Sequence, residues 1–430
     1  MHILVTGATG LIGSAVIARL LGEGHAVTGI ARRVGRARQR SPQCRWVALD
    51  IAMAVSPESW MPLLDGIGAV VNCAGALQDG PSDCLAGVHE RGMAALFAAC
   101  EQAGVRRVVQ ISAIGVDRET PTAFSATKRR GDEALMAHDL DWVILRPSIV
   151  IGRAAFGGSA LFRGLAALPV LPVIPGTGPL QTVQLDDLVR TVLFFLAQDA
   201  PSRLALEVTA PPSLSFTQIV GHYRRWLGWR AARLVPMPNL LAKLIFRLGD
   251  VAGLLGWRPP VRSTARAEIA RGAAGDPTAW TRVTGIELRG LTEALAREPA
   301  SVQERWFAGL FLLKPVIMVV FSLFWIATGL ICLGPGYEAG VALMKESGVV
   351  VLAAPIVIAG ALVDIAIGAA IAWRRTARLG LYAALIVSLL YLIAGTLLQP
   401  ALWFDPLGRL VKVLPILALN LVALAILEDR

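Results

Sequence analysis

The chain has 430 residues, 55% of them hydrophobic and only 17% charged, with a formal net charge of +10. Ordinary soluble proteins carry about 25% charged residues, so a wholly soluble chain is excluded. The basic excess comes without a Lys/Arg run interleaved with aromatics, which argues against nucleic acid and for anionic lipid headgroups as its partner.

The first apolar run, Ile3-Leu4-Val5, is of the kind that forms a buried parallel strand. Gly7, Gly10 and Gly13 follow at three-residue spacing, and residues 14–21 read as an apolar-faced helix. That order suits a dinucleotide pyrophosphate. The first glycine permits the turn, the second lets backbone approach the phosphates, and the third lets helix pack on strand. Phosphate oxygens would meet N–H groups at the helix N-terminus, so Gly7, Thr9, Gly10, Leu11, Ile12 and Gly13 are the first candidate cofactor contacts. A second strand over 26–30 ends in Ala31-Arg32-Arg33. An NAD site places an acidic residue near this strand end, on the ribose 2′-hydroxyl. Two arginines suit a 2′-phosphate instead, so Arg32 and Arg33 predict NADP(H), with NAD(H) the alternative. Arg36, Arg38 and Arg40 continue the run, and a solvated basic loop is the competing reading.

A third strand over 46–49 runs into Asp50-Ile51, a carboxylate placed to meet an adenine amino group. The fourth, 69–71, enters Asn72-Cys73-Ala74-Gly75, whose small residues let backbone pass close to a cofactor. A helix over 83–103, a strand over 107–111 ending at Ser112, a helix over 124–138 and a strand over 142–145 follow, the last closing with Arg146-Pro147-Ser148-Ile149-Val150. Strands alternating with helices predict a doubly wound parallel Rossmann sheet with right-handed crossovers. Ligands in such sheets sit beyond the strand C-termini, where Gly7, Arg32, Asp50, Gly75, Ser112 and Pro147 all fall. Residues 151–300 predict a small α/β substrate region, completing a front domain over 1–300. Within it, 169–179 reads as a Pro/Gly loop, Asp186 or Asp187 as a helix N-cap and first-turn charge, 204–209 as a strand and 216–229 as a helix. Residues 239–255 mix apolar positions with Lys243, Arg247 and Asp250. They read either as an amphipathic helix on a bilayer or as a helix packed on the front domain.

Charge then thins out. Residues 309–430 hold eight Lys/Arg and six Asp/Glu. Apolar stretches at 315–333, 348–373 (interrupted by Asp364), 379–404 and 413–427 predict an all-α four-helix transmembrane domain over 305–430. The loop with Arg374, Arg375 and Arg378 is cytoplasmic by the positive-inside tendency. Four spans then put both termini and the Rossmann domain on the cytoplasmic side of the inner membrane, and no signal peptide precedes the strand at residue 2. Trp325, Trp373, Trp403 and Tyr382 fit interfacial anchors, and Asp364 either finds a partner in Lys314 or Arg409 or lies close enough to the surface near Trp373 to be solvated. The five cysteines and five histidines show no metal spacing, and the cysteines read as small buried hydrophobes.

TGATGLIG, Asp50-Ile51, the Asn72–Gly75 turn, Ser112, Lys128 and RPSIVIG together resemble the short-chain dehydrogenase/reductase superfamily over roughly residues 1–290. More narrowly they resemble its extended or atypical branch, the group that includes a subunit of respiratory complex I. The resemblance implies a Ser and a Tyr-x-x-x-Lys pair for carbonyl chemistry. Ser112 and Lys128 occupy the serine and lysine places as candidate catalytic residues, but Phe124 occupies the tyrosine place and cannot donate a proton. The resemblance carries Ser112, Lys128, Cys73, Ala74, Pro147, Ser148 and Ile149 into the expected cofactor site. The last third resembles the DoxX-like membrane family, through Pro400-Ala-Leu-Trp403-Phe-Asp-Pro-Leu-Gly408 and through Asp364 with Gly368. These readings predict a membrane-bound oxidoreductase acting on a lipophilic, quinone or isoprenoid-like substrate. The competing class is a silent NADP(H)-binding structural protein of a membrane redox complex.

Overall fold

Short apolar strands that end in glycine or a polar residue build the central sheet. In chain order they are β1 (His2–Thr6), β2 (Ala26–Ala31), β3 (Arg45–Ala48), β4 (Ala69–Asn72), β5 (Arg107–Ile111) and β6 (Asp141–Pro147). After β7 (Ile149–Ile151), β8 (Val170–Val173) and β9 (Leu180–Gln184) comes the last member, β10 (Leu204–Val208). The sheet is seven-stranded in the order β10-β6-β5-β4-β1-β2-β3, and every pairing is parallel. Alternate residues serve opposite faces. Ile3, Val5, Val71, Val109 and Val143 pack with Val16, Leu20, Val192 and Phe195, whereas Leu4, Val70, Val108 and Ile144 pack with Leu96, Phe97 and Leu135. Both faces are therefore buried under helices, which is why the strands read as continuous apolar runs. The computed structural model describes residues 1–81 and 83–428.

Beyond the sheet the chain departs from expectation in three places. Residues 169–179 are not all loop: β8 pairs in parallel with β12 (Arg233–Pro236), which follows β11 (Ala210–Leu214). The run after Arg33 is not a loop either, because Gly35–Arg40 forms a short helix. Gln184, not Asp186 or Asp187, sits at the N-cap of helix Leu185–Leu196. Both aspartates fall in the first turn, as expected, and Asp187 is buried there, where it accepts from Arg289 and, at 3.3 Å, from Arg190.

The contacts divide the chain into two units, Met1–Val251 with Pro259–Arg305, and Ala252–Arg258 with Trp306–Arg430. Among the described residues three helices are long and apolar enough to cross a membrane: Val302–Leu333, Ala353–Ala372 and Ala377–Leu398. The third stops at Leu398, where Gln399 and Pro400 break the apolar run into a short 3-10 turn. A fourth apolar helix, Val413–Ile426, has 14 residues. Neighbouring helices run antiparallel. Gly329 lies against Ala361 and Gly368 against Ser322; Gly380 meets Ile371 while Gly360 faces Tyr391. Lys314 Nζ donates to Leu427 O at 3.1 Å, Arg374 donates to the same carbonyl, and Arg378 pairs with Glu428 at 2.7 Å. Cations thus gather at the C-terminal, negative end of the last helix.

Asp364 is buried and accepts from Tyr391 Oη at 3.1 Å, so neither expected cation partners it. Arg409 pairs with Asp405. Trp325 is buried within the bundle rather than placed at an interface, whereas Trp373 and Tyr382 are exposed. Cys84 is exposed too, and its sulfur accepts from Gly87 N at 3.4 Å.

Candidate functional site

The glycine turn is built by close backbone approach. Gly7 has φ +59° and lies against the end of β4, where a Cβ would sit 2.5 Å from Cys73 O. Cys73 N in turn donates to Thr6 O at 3.2 Å, and Ala8 N to Ile30 O at 3.1 Å, so the turn is laced to both neighbouring strands. Helix Leu11–Gly22 starts at once, with Gly10 as an N-cap that has no side chain to offer. Ser14 N makes the first bond back, to Gly10 O, so the amides of Leu11, Ile12 and Gly13 point out of the helix start without intrahelical acceptors. A Cβ on Gly13 would lie 2.4 Å from Gly7 O; one on Gly10 would meet only that carbonyl, at 3.1 Å. The space over Gly10 is a cradle, and the space over Gly13 is filled by protein.

At the ends of β2 and β3, Arg32 and Arg33 are exposed, and Arg32 pairs with Asp83 at 2.9 Å. Asp50 is exposed and accepts from Ala52 N at 3.1 Å, while Ile51 is buried beneath it.

A ladder of buried polar groups crosses the strand ends. Thr6 Oγ1 donates to Asn72 Oδ1, Asn72 Nδ2 to Gln110 Oε1, and Gln110 Nε2 to Asp132 Oδ1. Asn72 Oδ1 also accepts from Ala74 N at 3.0 Å, which fixes the turn entering Gly75. Ser112 Oγ donates to Asp132 Oδ2 at 2.7 Å, and Arg146 Nε approaches the same oxygen at 3.3 Å. Burial pushes the Asp132 carboxyl above its ordinary range, against the pull of Ser112, Arg146, Lys128 and Gln110. Gln110 and Asp132 were missed by the sequence reading, which named Asn72 and Arg146 only as the first residues of their motifs. The available signal was a polar residue at the end of each of the apolar runs Val70-Val71-Asn72 and Val108-Val109-Gln110.

Lys128 projects from helix Ala123–Met136, whose start is fixed by a reciprocal Thr122–Ser125 cap. It is buried, and Nζ donates to Ala74 O at 3.1 Å and Ile111 O at 2.9 Å, bridging the ends of β4 and β5. Burial lowers its pKa to about 8, against the raising pull of Asp132. His89 was also missed. Its Nε2 accepts from Ala76 N at 3.0 Å, its Nδ1 meets Thr127 Oγ1 at 2.9 Å, and burial with Lys128 nearby lowers it to about 2, so the ring is neutral. The Phe124 ring stands edge-on to His89 at 5.7 Å. A Cβ on Gly75 would meet Lys128 Nζ and His89 Nε2 at 3.5 and 3.7 Å. Gly75, His89, Phe124 and Lys128 are thus one cluster. Ser112 is the neighbour of Ile111 but turns its proton to Asp132.

Pro147 and Ser148 are buried at the end of β6, and Ile149 starts β7. Among the described residues Ser148 Oγ has no hydrogen-bond partner. A buried hydroxyl left unpaired costs roughly 1–3 kcal/mol, which a ligand atom at this strand end would recover. Tyr223 packs between Phe162 and Trp226 in the core and is no part of this site. Among the described residues no group of three or more His, Cys, Asp and Glu could hold a metal.

Known proteins share the family and the fold. Residues 7–159 match the model of an NAD(P)H-binding family, and residues 322–421 that of the DoxX-like family. Uncharacterised mycobacterial proteins are 32% identical over 223 residues, but the chain spans only 23% of their length. A 3-diazoavenalumate denitrifying reductase of Streptomyces sp is 30% identical over 309 residues, 64% of this chain and 93% of that protein. The ceramide reductase of Caulobacter vibrioides is 22% identical over 55% of this chain and 74% of its own length. Among solved structures, MoeE5 in complex with UDP-glucuronic acid and NAD superposes with a TM-score of 0.53 at 20% identity, covering 71% of this chain and 99% of that one.

Proposed function

We propose, from the premise that the chain belongs to the NAD(P)H-binding, short-chain dehydrogenase/reductase-like family and carries a DoxX-like membrane domain, that it is a reductase of a lipophilic carbonyl or quinone at the cytoplasmic bilayer surface. The carrying observation is Lys128, an ammonium buried between the carbonyls that end β4 and β5, where ligands of doubly wound sheets sit. The cradle over Gly10 and the unpaired Ser148 hydroxyl fit a dinucleotide on the same side. When bound, reduced nicotinamide supplies the hydride. The chain's own part is to hold and orient. The amides of Leu11, Ile12 and Gly13 take the pyrophosphate, Lys128 the nicotinamide ribose, and Arg32 and Arg33 the 2′-phosphate that favours NADP(H) over NAD(H). Ser112 reaches an acceptor oxygen only by turning away from Asp132. Phe124 supplies no proton, which favours an acceptor such as a quinone, whose reduced oxygen is a weaker base than an alkoxide.

The similarity to a ceramide reductase supports a lipid-like substrate, and fusion to membrane helices would keep the protein at the membrane into which such molecules partition. Four crossings are supported by the gathering of Lys314, Arg374 and Arg378 at the end of the last helix. At 1.5 Å per residue its 14 residues span about 21 Å, short of the roughly 30 Å core, and Arg409 and Lys412 at its start reach the surface by snorkelling.

Phe124 and the Ser112–Asp132 bond favour a second reading, a nucleotide-holding protein of a membrane redox complex without turnover. The test is NADPH and NADH affinity in detergent, then NADPH oxidation with a short-chain quinone. Turnover that falls in Lys128→Ala supports the reductase. Tight binding without turnover, unchanged in Phe124→Tyr, sinks it and leaves the structural reading.

A further inference from the structure

Helix Asn239–Leu254 carries two apolar faces where a packed surface helix needs one. One face is buried: Ala242 and Phe246 are inaccessible, and Gly249 is pressed against the backbone of Val261. Asp250 secures that side by accepting from Gln78 Nε2 at 2.9 Å and from Ser263 N at 3.2 Å. The other face is bare. Leu240, Leu244, Leu248, Val251 and Leu254 are 80, 52, 58, 53 and 64% exposed. At 100° per residue these five lie within one arc of about 120°, a continuous stripe along the helix. Lys243 and Arg247 are exposed at or beside that stripe, with stems long enough to carry their charges clear of it.

Chain continuity points to what covers the stripe. From Ala252 to Arg258 the chain belongs to the membrane unit. Within that unit Leu255 O accepts from Arg374 N at 3.0 Å, and Trp257 Nε1 donates to Ala372 O at 2.8 Å under the Arg374 guanidinium. Ala372 ends helix Ala353–Ala372, which is long and apolar enough to cross a membrane, and Arg374 lies in the arginine loop that follows. The helix that bears the stripe therefore runs directly into a segment moored at the end of a helix long and apolar enough to cross a membrane.

We propose that helix Asn239–Leu254 is an interfacial helix, its leucine stripe seated in the upper acyl region of an anionic bilayer and Lys243 and Arg247 paired with lipid phosphates. The proposal does not depend on the reductase reading. It gives the front domain a membrane contact of its own, separate from the spanning helices. A stripe of this kind lies about 5–10 Å into the headgroup–acyl boundary.

The full chain, reconstituted in nanodiscs of phosphatidylethanolamine and phosphatidylglycerol, provides the test. An environment-sensitive fluorophore is placed at Leu244→Cys, Leu248→Cys or, as a control on an exposed helix elsewhere, Arg225→Cys, with Cys84 replaced by serine. Lipids brominated near the headgroup end of the acyl chain are expected to remove about half of the emission at 244 and 248 and to leave 225 unchanged, the depth expected of a surface helix. Emission at 244 and 248 that matches the control overturns the proposal. So does shielding from aqueous iodide without quenching by bromolipid, because a protein surface would then cover the stripe.

Discussion

Gly10 and Gly13 should fail in different ways when replaced by alanine. At Gly13 the new Cβ falls 2.4 Å from Gly7 O, with Gly7 C and Ala8 Cα at 3.0 and 3.1 Å. The first contact is about 1 Å short of ordinary van der Waals distance, and every atom involved is backbone, so no rotamer relieves it. Overpacking of this kind costs about 1–3 kcal/mol, and the fixed surroundings put Gly13→Ala at the upper end. For a domain of this size about 3 kcal/mol lowers Tm by about 6–12 °C. At Gly10 the only close atom is Gly7 O at 3.1 Å, and φ is −76°, which alanine adopts freely. A few tenths of an ångström of adjustment is offset by the roughly 0.4–1 kcal/mol that alanine gains through the unfolded chain, so Tm should scarcely move. The methyl group instead fills the cradle. Lost charge-assisted bonds of about 1.5–3 kcal/mol correspond to NADPH affinity weaker by about tenfold to a hundredfold. Thermal unfolding in detergent with and without NADPH, together with a binding titration, measures both effects. A Gly13→Ala protein that melts within 2 °C of wild type, or a Gly10→Ala protein that binds NADPH normally, refutes the assignment.

Lys128 gives a pH signature. Its folded pKa, about 8, lies below the ordinary 10.5, so between those values the unfolded chain binds more protons and stability rises with pH. Relative to Lys128→Met, wild type should gain about 3 kcal/mol across that window, read from denaturant midpoints at pH 7.5 and 10.5. Phe124→Tyr should raise ketone reduction by about 10²–10⁴ by restoring a general acid, with far less effect on quinone reduction; the steady-state ratio of the two activities reports it. Asp187→Ala leaves Arg289 without its main partner and should cost about 2–3 kcal/mol in thermal unfolding. That is less than for a fully buried pair, because a fifth of the Arg289 side chain remains in water. Tyr391→Phe strands the Asp364 carboxylate and should destabilise the protein in detergent by about 1–3 kcal/mol, with Asp364→Asn recovering part of the loss.

The features legible in the sequence are those that depend on near neighbours. The glycine spacing places a turn after β1, and the apolar runs place the strands within a residue or two, because both faces of a parallel sheet are buried. What could not be read depends on distant partners. β8 lies in a Pro/Gly stretch and exists because β12, some sixty residues later, pairs with it. Asp364 meets Tyr391 from the next helix rather than a cation, and no local pattern announces that. At the site, Lys128 and Ser112 were found by resemblance, yet the direction in which Ser112 sends its proton is set by Asp132, twenty residues away on a helix. His89 looked like one scattered histidine among five; its place beside Gly75 comes from the π-type turn Gly87–Arg91 that opens its helix.

The segment Ala252–Arg258 bears on how the two halves could ever be separated. The chain passes between its units at three points, after Val251, Arg258 and Arg305, so no single cut frees the nucleotide-binding half. A fragment ending near residue 300 would keep Trp257 but lose Ala372 as its acceptor and Arg374 as its cover. An indole and a leucine stripe would then face water together on one short stretch of chain. Such a fragment should be sticky and poorly soluble even with every sheet contact intact, and a workable soluble form needs the stretch rewritten rather than the tail removed.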